Sequence, residues 1–211
     1  MLIGLIALFG GYSFGSLALH GRDLSTYAAL WGVASLSIGF AEEFLFRGYP
    51  QSVLSMGMGF WPAAFFISVV FGAAHYFLKP HERWPDWAST ALFAVFLCLT
   101  LSRTGDLRFA IGFHAAFDFA GVFVYSCPDA GELAQGRLRT ATFHGPQWLT
   151  GGPLGPKASL FVFPVIAVMF IVFHRMHPQA VFPVPNVSAG PVRENRSDRG
   201  NGQTILDPRR L

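Results

Sequence analysis

Chemically reactive side chains recur four residues apart within three strongly apolar stretches of the sequence. Residues at this spacing lie on the same face of an α-helix, so each stretch projects one row of functional groups. In chain order the rows are Glu43 with Arg47, Phe71 with His75, and His114 with Asp118, and a further acid, Glu42, precedes the first row.

The combination of carboxylates and histidines in these rows predicts hydrolysis. A carboxylate next to a histidine can take a proton from water, which makes that water nucleophilic toward a carbonyl carbon. A second histidine can stabilise the oxyanion that forms, and both effects strengthen where bulk water is excluded. The alternative is that the rows only join helices through hydrogen bonds. Two histidines and three acids exceed what helix adhesion needs, so convergence on one cavity is favoured.

The composition of the chain places these rows in a membrane. Hydrophobic residues make up 52% of the 211 residues and charged residues 13%, whereas soluble domains carry roughly a quarter charged residues. An ionisable group inside a membrane helix is costly unless it faces a cavity or a partner, which makes each one a functional candidate. The formal net charge of +3 is scattered over loops and the C-terminal segment. This pattern excludes nucleic acid as a partner and leaves the lipid bilayer.

The apolar stretches predict an all-α polytopic bundle with about six transmembrane spans. The expected organisation is one membrane domain over residues 1–175 and a disordered polar tail over residues 176–211. No basic residue precedes the first apolar run, which favours a membrane helix over a signal peptide. A chain truncated at its start would show the same pattern. The predicted spans are Leu2–Leu19, Tyr27–Arg47, Phe60–Leu78, Ala88–Leu101, Leu107–Tyr125 and Ala158–Phe173, with a helix break within Gly48–Gly59 and loops at Lys79–Trp87 and Ser126–Lys157.

The three rows resemble the motifs of the CPBP family of intramembrane proteases, named for CAAX proteases and bacteriocin processing and also called the Abi family. That family carries a Glu-Glu-x-x-x-Arg helix, a Phe-x-x-x-His helix and a His-x-x-x-Asn/Asp helix, in this order. The sequence supplies all three, at residues 42–47, 71–75 and 114–118. The resemblance covers a motif core of about residues 24–125 and implies a membrane-embedded endopeptidase.

The resemblance also implies a role for each motif residue. Glu42 and His75 would activate the attacking water, and His114 with Asp118 would stabilise the oxyanion. The supporting residues would be Glu43, Arg47 and Phe71. An ionised Asp118 would repel an oxyanion, so this residue is expected either to be protonated or to orient His114, as acids orient catalytic histidines elsewhere.

The resemblance leaves the cofactor open, because mechanisms with and without a metal ion have both been argued for the family. Glu42, His75 and His114 are candidate ligands of a zinc ion with an open position for water. Against zinc, the chain has no His-Glu-x-x-His pair. The metal is therefore unknown, and the two expectations are a zinc site at these residues or no cofactor.

A peptide or membrane-anchored protein is the substrate that the resemblance implies. Family members trim prenylated CAAX proteins, and many bacterial members are linked to bacteriocin processing or immunity. The short chain favours a bacterial protein of the cytoplasmic membrane. The alternative is a non-catalytic membrane scaffold or bacteriocin-immunity protein that keeps the polar rows without turnover. A proton-coupled transporter is disfavoured because the chain shows no internal repeat.

Overall fold

The structure, a computed structural model, describes residues 1–78, 83–129 and 131–182. Within this part of the chain, three helical segments are long and apolar enough to cross a membrane: Gly21–Met58 with 38 residues, Phe60–Leu78 with 19 and Trp84–Thr104 with 21. A shorter apolar helix, Val162–Met176, follows near the end. The prediction of a largely helical integral membrane protein is confirmed.

Most of the described chain is helical. The helices are α1 Leu2–Leu8, α2 Gly21–Glu43, α3 Tyr49–Met58, α4 Phe60–Leu78, α5 Trp84–Thr104, α6 Arg108–Phe119, α7 Gln147–Thr150 and α8 Val162–Met176. Two five-residue π-helical segments, here called the first and second π-turn, are Phe44–Gly48 and Ala120–Val124. Two strands, β1 Tyr12–Ser13 and β2 Thr142–Phe143, pair antiparallel and add a small sheet that the all-α prediction omits.

The second predicted span is followed directly by a further helix. The first π-turn leads from α2 to Gly48, whose ψ of −111° lies outside the helical range, and α3 starts again at Tyr49. The helical segment then ends at Gly59, so the break predicted within Gly48–Gly59 is present at both of its ends. Pro50 is tolerated because it occupies the first turn of α3, where a backbone N–H is not needed. Gly59 has a φ of 84°, a conformation that favours glycine, and this residue ends the segment.

The prediction of a first span over Leu2–Leu19 is wrong. Helix α1 has only seven residues, far fewer than the roughly 20 needed to cross the hydrocarbon core. Gly10 and Gly15 adopt positive φ angles of 75° and 61°, which turn the chain away from a helix. Strand β1 then pairs with β2, inside the stretch predicted as the loop Ser126–Lys157. The N-terminal segment therefore packs with that loop instead of spanning a membrane alone.

Two buried groups lie where this N-terminal unit meets the chain after α6. The Tyr12 hydroxyl donates to the carbonyl oxygen of Tyr125 at 2.8 Å, which ties β1 to the chain after α6. Burial raises the pKa of Tyr12 to about 12. Burial also raises the pKa of the nearby Cys127 thiol to about 12, so this thiol stays protonated and unreactive near neutral pH.

The remaining spans differ from their predicted bounds. Helix α5 begins at Trp84 rather than Ala88, because Pro85 and Asp86 are residues that favour the first turn of a helix rather than a loop. Helix α6 and the second π-turn together run from Arg108 to Val124. Among the described residues, only three of the six predicted spans meet the length and hydropathy of a membrane-crossing helix.

Some predicted segments fall partly outside the described residues. This applies to Lys79–Glu82 of the predicted loop before α5 and to residues 183–211 of the predicted tail. The part that is described, up to Phe182, follows α8 and returns to the end of α5. There the backbone N–H groups of Val181 and Phe182 both donate to the carbonyl oxygen of Ser102.

A close approach between α2 and α6 positions the first and third motifs against each other. A Cβ atom added at Gly39 would lie 3.1 Å from the backbone nitrogen of Ala115 and 3.1 Å from the carbonyl oxygen of Ile111. These are backbone atoms of α6 and cannot rotate away. A larger residue at position 39 would therefore move the whole helix. Glu43 lies one turn beyond Gly39, and His114 precedes Ala115.

Replacing Gly39 with alanine is expected to destabilise the protein by about 1–3 kcal/mol, the usual cost of overpacking a tight interface. The control is Gly32→Ala on the same helix, where a Cβ atom would meet only the edge of the Phe119 ring at 4.0 Å. That control is expected to be neutral or slightly stabilising, because alanine favours helix. Thermal unfolding in detergent measures both variants. Equal melting temperatures for Gly39→Ala and Gly32→Ala would contradict the close approach.

Candidate active site

Glu43 and Arg47 form a fully buried ion pair at the centre of the bundle. The side chains of both residues are 0% exposed, and Arg47 Nη1 donates to Glu43 Oε1 at 3.2 Å. The pair spans the junction of α2 with the first π-turn. The Arg47 guanidinium also lies over the face of the Phe71 ring, 4.4 Å from its centroid, which is a favourable cation–π geometry. A buried charge pair is tolerated when such further contacts accompany it.

His114 connects this ion pair to the third motif. Its Nδ1 atom lies 2.8 Å from Glu43 Oε1, the same oxygen that accepts from Arg47. Because an ionised carboxylate only accepts hydrogen bonds, Nδ1 carries the hydrogen in this contact. In the neutral ring the lone pair then lies on Nε2. Nε2 becomes a donor only when the imidazole takes up a second proton. Glu43 thus determines both the orientation and the tautomer of His114.

Two partly exposed carboxylates face the other nitrogen of His114. Glu42 Oε2 and Asp118 Oδ2 each lie 3.7 Å from His114 Nε2. The side chains of Glu42 and Asp118 are 29% and 28% exposed, whereas that of His114 is 7% exposed. A separation of 3.7 Å is too long for a direct hydrogen bond and too short for an atom to lie in line between the groups, so a bridging water would lie to one side of each pair. Glu42, Asp118 and His114 therefore surround a place where a polar molecule such as water can bind.

The second motif reaches this cluster through the Phe71 ring. Phe71 is 2% exposed, and its ring centroid lies 4.5 Å from that of His75 and 6.4 Å from that of His114. His75 Nδ1 lies 3.0 Å from the Phe71 carbonyl oxygen. Because a carbonyl oxygen only accepts, Nδ1 donates in this contact, and the lone pair of the neutral His75 ring lies on Nε2. This is the tautomer in which Nε2 can take up a proton.

The structure thus gathers six of the seven predicted residues into direct contact and links the seventh through Phe71. The contact that it gives Glu42 is with His114, whereas the sequence pairs Glu42 with His75. A second difference concerns the residue that orients His114. The sequence offers Asp118 for this role as one of two alternatives, the other being a protonated Asp118, but Glu43 makes the short contact to Nδ1. Spacing alone does not reveal this, because Glu43 and His114 are 71 residues apart.

The described residues do not form a metal site of the expected kind. Within residues 1–78, 83–129 and 131–182, no three histidine, cysteine or acidic side chains are arranged so that they could hold a metal ion. The candidate ligand set of Glu42, His75 and His114 is therefore not assembled. Both Nδ1 atoms are engaged with Phe71 and Glu43, so only the Nε2 atoms of these two histidines could serve as ligands.

Comparison with known proteins agrees with the motifs. Residues 24–120 match the family described as Type II CAAX prenyl endopeptidase Rce1-like. The matched stretch contains all three motif rows and ends just after Asp118. Searches of the curated proteins and of the solved structures find no match. The resemblance seen in the sequence is confirmed by the family match.

Proposed function

Because residues 24–120 match the family described as Type II CAAX prenyl endopeptidase Rce1-like, we propose that this protein is a membrane-embedded endopeptidase. It hydrolyses a peptide bond with water that Glu42 and His75 activate. The family match supports the reaction class and a peptide or protein substrate in a membrane setting. The residues that perform the reaction are proposed from the geometry of the site.

The observation that supports this proposal most strongly is the environment of His114. One ring nitrogen is held at 2.8 Å by a fully buried carboxylate, and the other faces two partly exposed carboxylates at 3.7 Å. A histidine that served only to join helices would need one hydrogen-bond partner. The second face of this ring is directed instead toward Glu42 and Asp118, whose side chains are partly exposed. The Glu42 Oε2 atom that faces the ring is buried and has no hydrogen-bond partner among the described residues, so it is available to a reacting water, as a hydrolytic site requires.

The proposed reaction uses the exposed carboxylate as the base. Glu42 takes a proton from a water molecule while the water oxygen bonds to the carbonyl carbon of the substrate. His75, with its Nε2 lone pair, assists as a second acceptor. The oxyanion is stabilised by His114, which donates from Nε2 in its doubly protonated form. The carbon–nitrogen bond then breaks, and the proton held by Glu42 passes to the leaving amine.

The buried ion pair has an indirect part in this reaction. Arg47 holds Glu43, and Glu43 holds His114, so the ring is fixed before substrate arrives. Such preorganisation avoids the cost of reorienting polar groups during the reaction. The apolar surroundings strengthen each charge interaction. We propose a peptide segment close to a membrane anchor as the substrate, and the bacterial cytoplasmic membrane as the location stays a prediction from the sequence.

Substitutions at Asp118 test whether a polar side chain is needed at this position beside His114. Asp118→Asn is expected to retain most activity, because an amide keeps a polar group 3.7 Å from His114 Nε2. Asp118→Ala is expected to lose about 10-fold or more, within the range of a lost positioning contact. Peptide cleavage rates of the two purified variants provide the measurement. An inactive asparagine variant together with an active alanine variant would contradict this role for Asp118.

The experiment that tests the proposed function is cleavage of membrane-anchored and CAAX-type peptides in water enriched in ¹⁸O. Hydrolysis adds one ¹⁸O atom to the new carboxylate, which mass spectrometry detects together with the cleavage position. The Glu42→Gln variant, purified in parallel, controls for contaminating proteases. A chelator arm tests the metal separately, because loss of cleavage after chelation would require a metal ligand set that the described residues do not form.

The expected result is ¹⁸O-labelled product with the wild type and none with Glu42→Gln. Equal product from the two proteins would assign the cleavage to a contaminant. A wild type that cleaves no peptide of the panel and resembles Glu42→Gln in every assay would favour the non-catalytic scaffold or immunity protein.

A further inference from the structure

Gln51 is a fully buried amide that the proposed reaction does not use. Its side chain is 0% exposed, yet both ends of the amide have partners. Nε2 donates to the carbonyl oxygen of Phe60 at 3.3 Å, and Oε1 accepts from the Cys98 thiol at 3.8 Å. The Cys98 sulfur in turn lies 3.9 Å from Ser68 Oγ. These contacts join α3 to the first residue of α4 and to the middle of α5.

Gln51 continues the row of buried residues that contains the ion pair. Glu43, Arg47 and Gln51 are four residues apart, and each is at most 1% exposed. In a regular α-helix each step of four residues rotates the side chain by about 40°, so residue 51 would point about 80° away from Glu43. The first π-turn lies between them and has more residues per turn. It offsets this rotation and keeps the row on one face.

The direction of the Arg47 guanidinium depends on this rotation. Nη1 bonds to Glu43 and the guanidinium carbon lies over Phe71, but Nε and Nη2 have no hydrogen-bond partner in the described part of the chain. Few side-chain contacts therefore hold Arg47 in place. The helical segment on which it sits has to supply the remaining constraint. The Cys98 thiol, which binds Gln51, also lies close enough to Arg47 to interact with its charge.

We propose that Gln51 is a positioning residue of this site. By tying the helix beyond the first π-turn to α4 and α5, it sets the direction of the Arg47 guanidinium. Through Glu43, it also sets the orientation of the His114 ring. The catalytic consequence of this inference rests on the proposed function, whereas its geometric consequence for His114 does not.

The test compares Gln51→Met with Ser52→Ala. Methionine has nearly the same length as glutamine but cannot bond to Phe60 or Cys98. Ser52 is the next residue on the same helix, is exposed, and donates only to the carbonyl oxygen of Gly48 at 3.0 Å. Each variant, in detergent, is measured by peptide cleavage and by the ¹⁵N NMR signals of labelled histidines. The His114 signals are assigned as those missing from a His114→Gln spectrum.

Gln51→Met is expected to lower kcat by about 10-fold to 100-fold with little change in KM, as a small misplacement remote from the chemistry does. Its His114 ¹⁵N signals are expected to shift, because the contact to Glu43 is altered. Ser52→Ala is expected to match the wild type in both measurements. A loss of activity matched by the loss of folded protein, with unchanged His114 signals, would overturn the proposal.

Two further measurements test the proposal if Gln51→Met does not fold or if the wild type is inactive. If Gln51→Met does not fold, Gln51→Asn keeps a polar amide that is one carbon too short to reach both Phe60 and Cys98, and a smaller shift of the His114 signals is expected. Unchanged signals in that variant would overturn the proposal. If the wild type cleaves no peptide, the NMR comparison still decides. Shifted His114 signals in Gln51→Met would support the positioning role even though the proposed function had failed.

Discussion

Replacing Glu42 with glutamine is expected to lower kcat/KM by about 10²-fold to 10⁴-fold, the contribution of a general base. Glutamine keeps the size and polarity of the side chain but cannot take a proton from water. Glu42 is the partly exposed acid of the first motif, at 29% side-chain exposure, and its Oε2 atom lies 3.7 Å from His114 Nε2. Steady-state cleavage of the best substrate peptide gives the rate, and circular dichroism shows whether the variant is folded.

The matched control for Glu42→Gln is Glu132→Gln, the same substitution at an exposed acid in the long segment after α6. This control is expected to cleave at the wild-type rate. A Glu42→Gln variant that keeps more than about a tenth of the wild-type rate would remove Glu42 from the role of base, since a base contributes at least about 10²-fold. In that case Asp118, at similar exposure and distance from His114, would become the candidate.

Replacing Glu43 with alanine is expected to lower the free energy of unfolding by about 3–5 kcal/mol, because it leaves the buried charge of Arg47 uncompensated. The same change removes the short contact that holds His114 Nδ1, so activity is also expected to disappear. Denaturant or thermal unfolding in detergent measures the first effect, and peptide cleavage measures the second.

The double variant Glu43→Ala, Arg47→Leu separates these two effects. Replacing both members of a buried ion pair by apolar residues of similar volume is often neutral or stabilising. Leucine fills much of the space of Arg47 while alanine at position 43 leaves a cavity, so part of the lost stability is expected to return. Activity is not expected to return, because His114 remains without its buried partner. If the double variant were as unstable as Glu43→Ala, the pair would not be the source of the instability. If it recovered activity, Glu43 would not orient His114.

The candidate site could largely be predicted from the sequence because its reactive residues occur in short local motifs. Spacing of four residues identified the rows, and the apolar context made each ionisable group conspicuous. Arg47 with Glu43 could be predicted as an internal ion pair for the same reason. The structure places the three rows together, and the catalytic roles of their members stay predictions until the variants are measured.

The remaining differences arise where distant parts of the chain meet. The contact between Glu43 and His114 depends on how closely α2 and α6 approach, which Gly39 permits and no periodicity encodes. The failed first span has a similar cause. Hydropathy averages over the glycines at positions 10 and 15, while the pairing of β1 with β2 depends on a segment about 130 residues away.

The first π-turn has a consequence for how the gene of such a protein can change in length. A π-turn holds more residues per turn than an α-helix, so loss of one codon within Phe44–Gly48 could be absorbed by conversion of the turn to regular helix, and Gln51 would keep nearly its present face relative to Glu43. An added codon has no such outlet. It would rotate the residues that follow it by about 100° relative to Glu43, and the buried polar groups Arg47 and Gln51 would leave the interior together. We therefore expect homologous sequences to lack an inserted residue between the glutamate pair and the arginine.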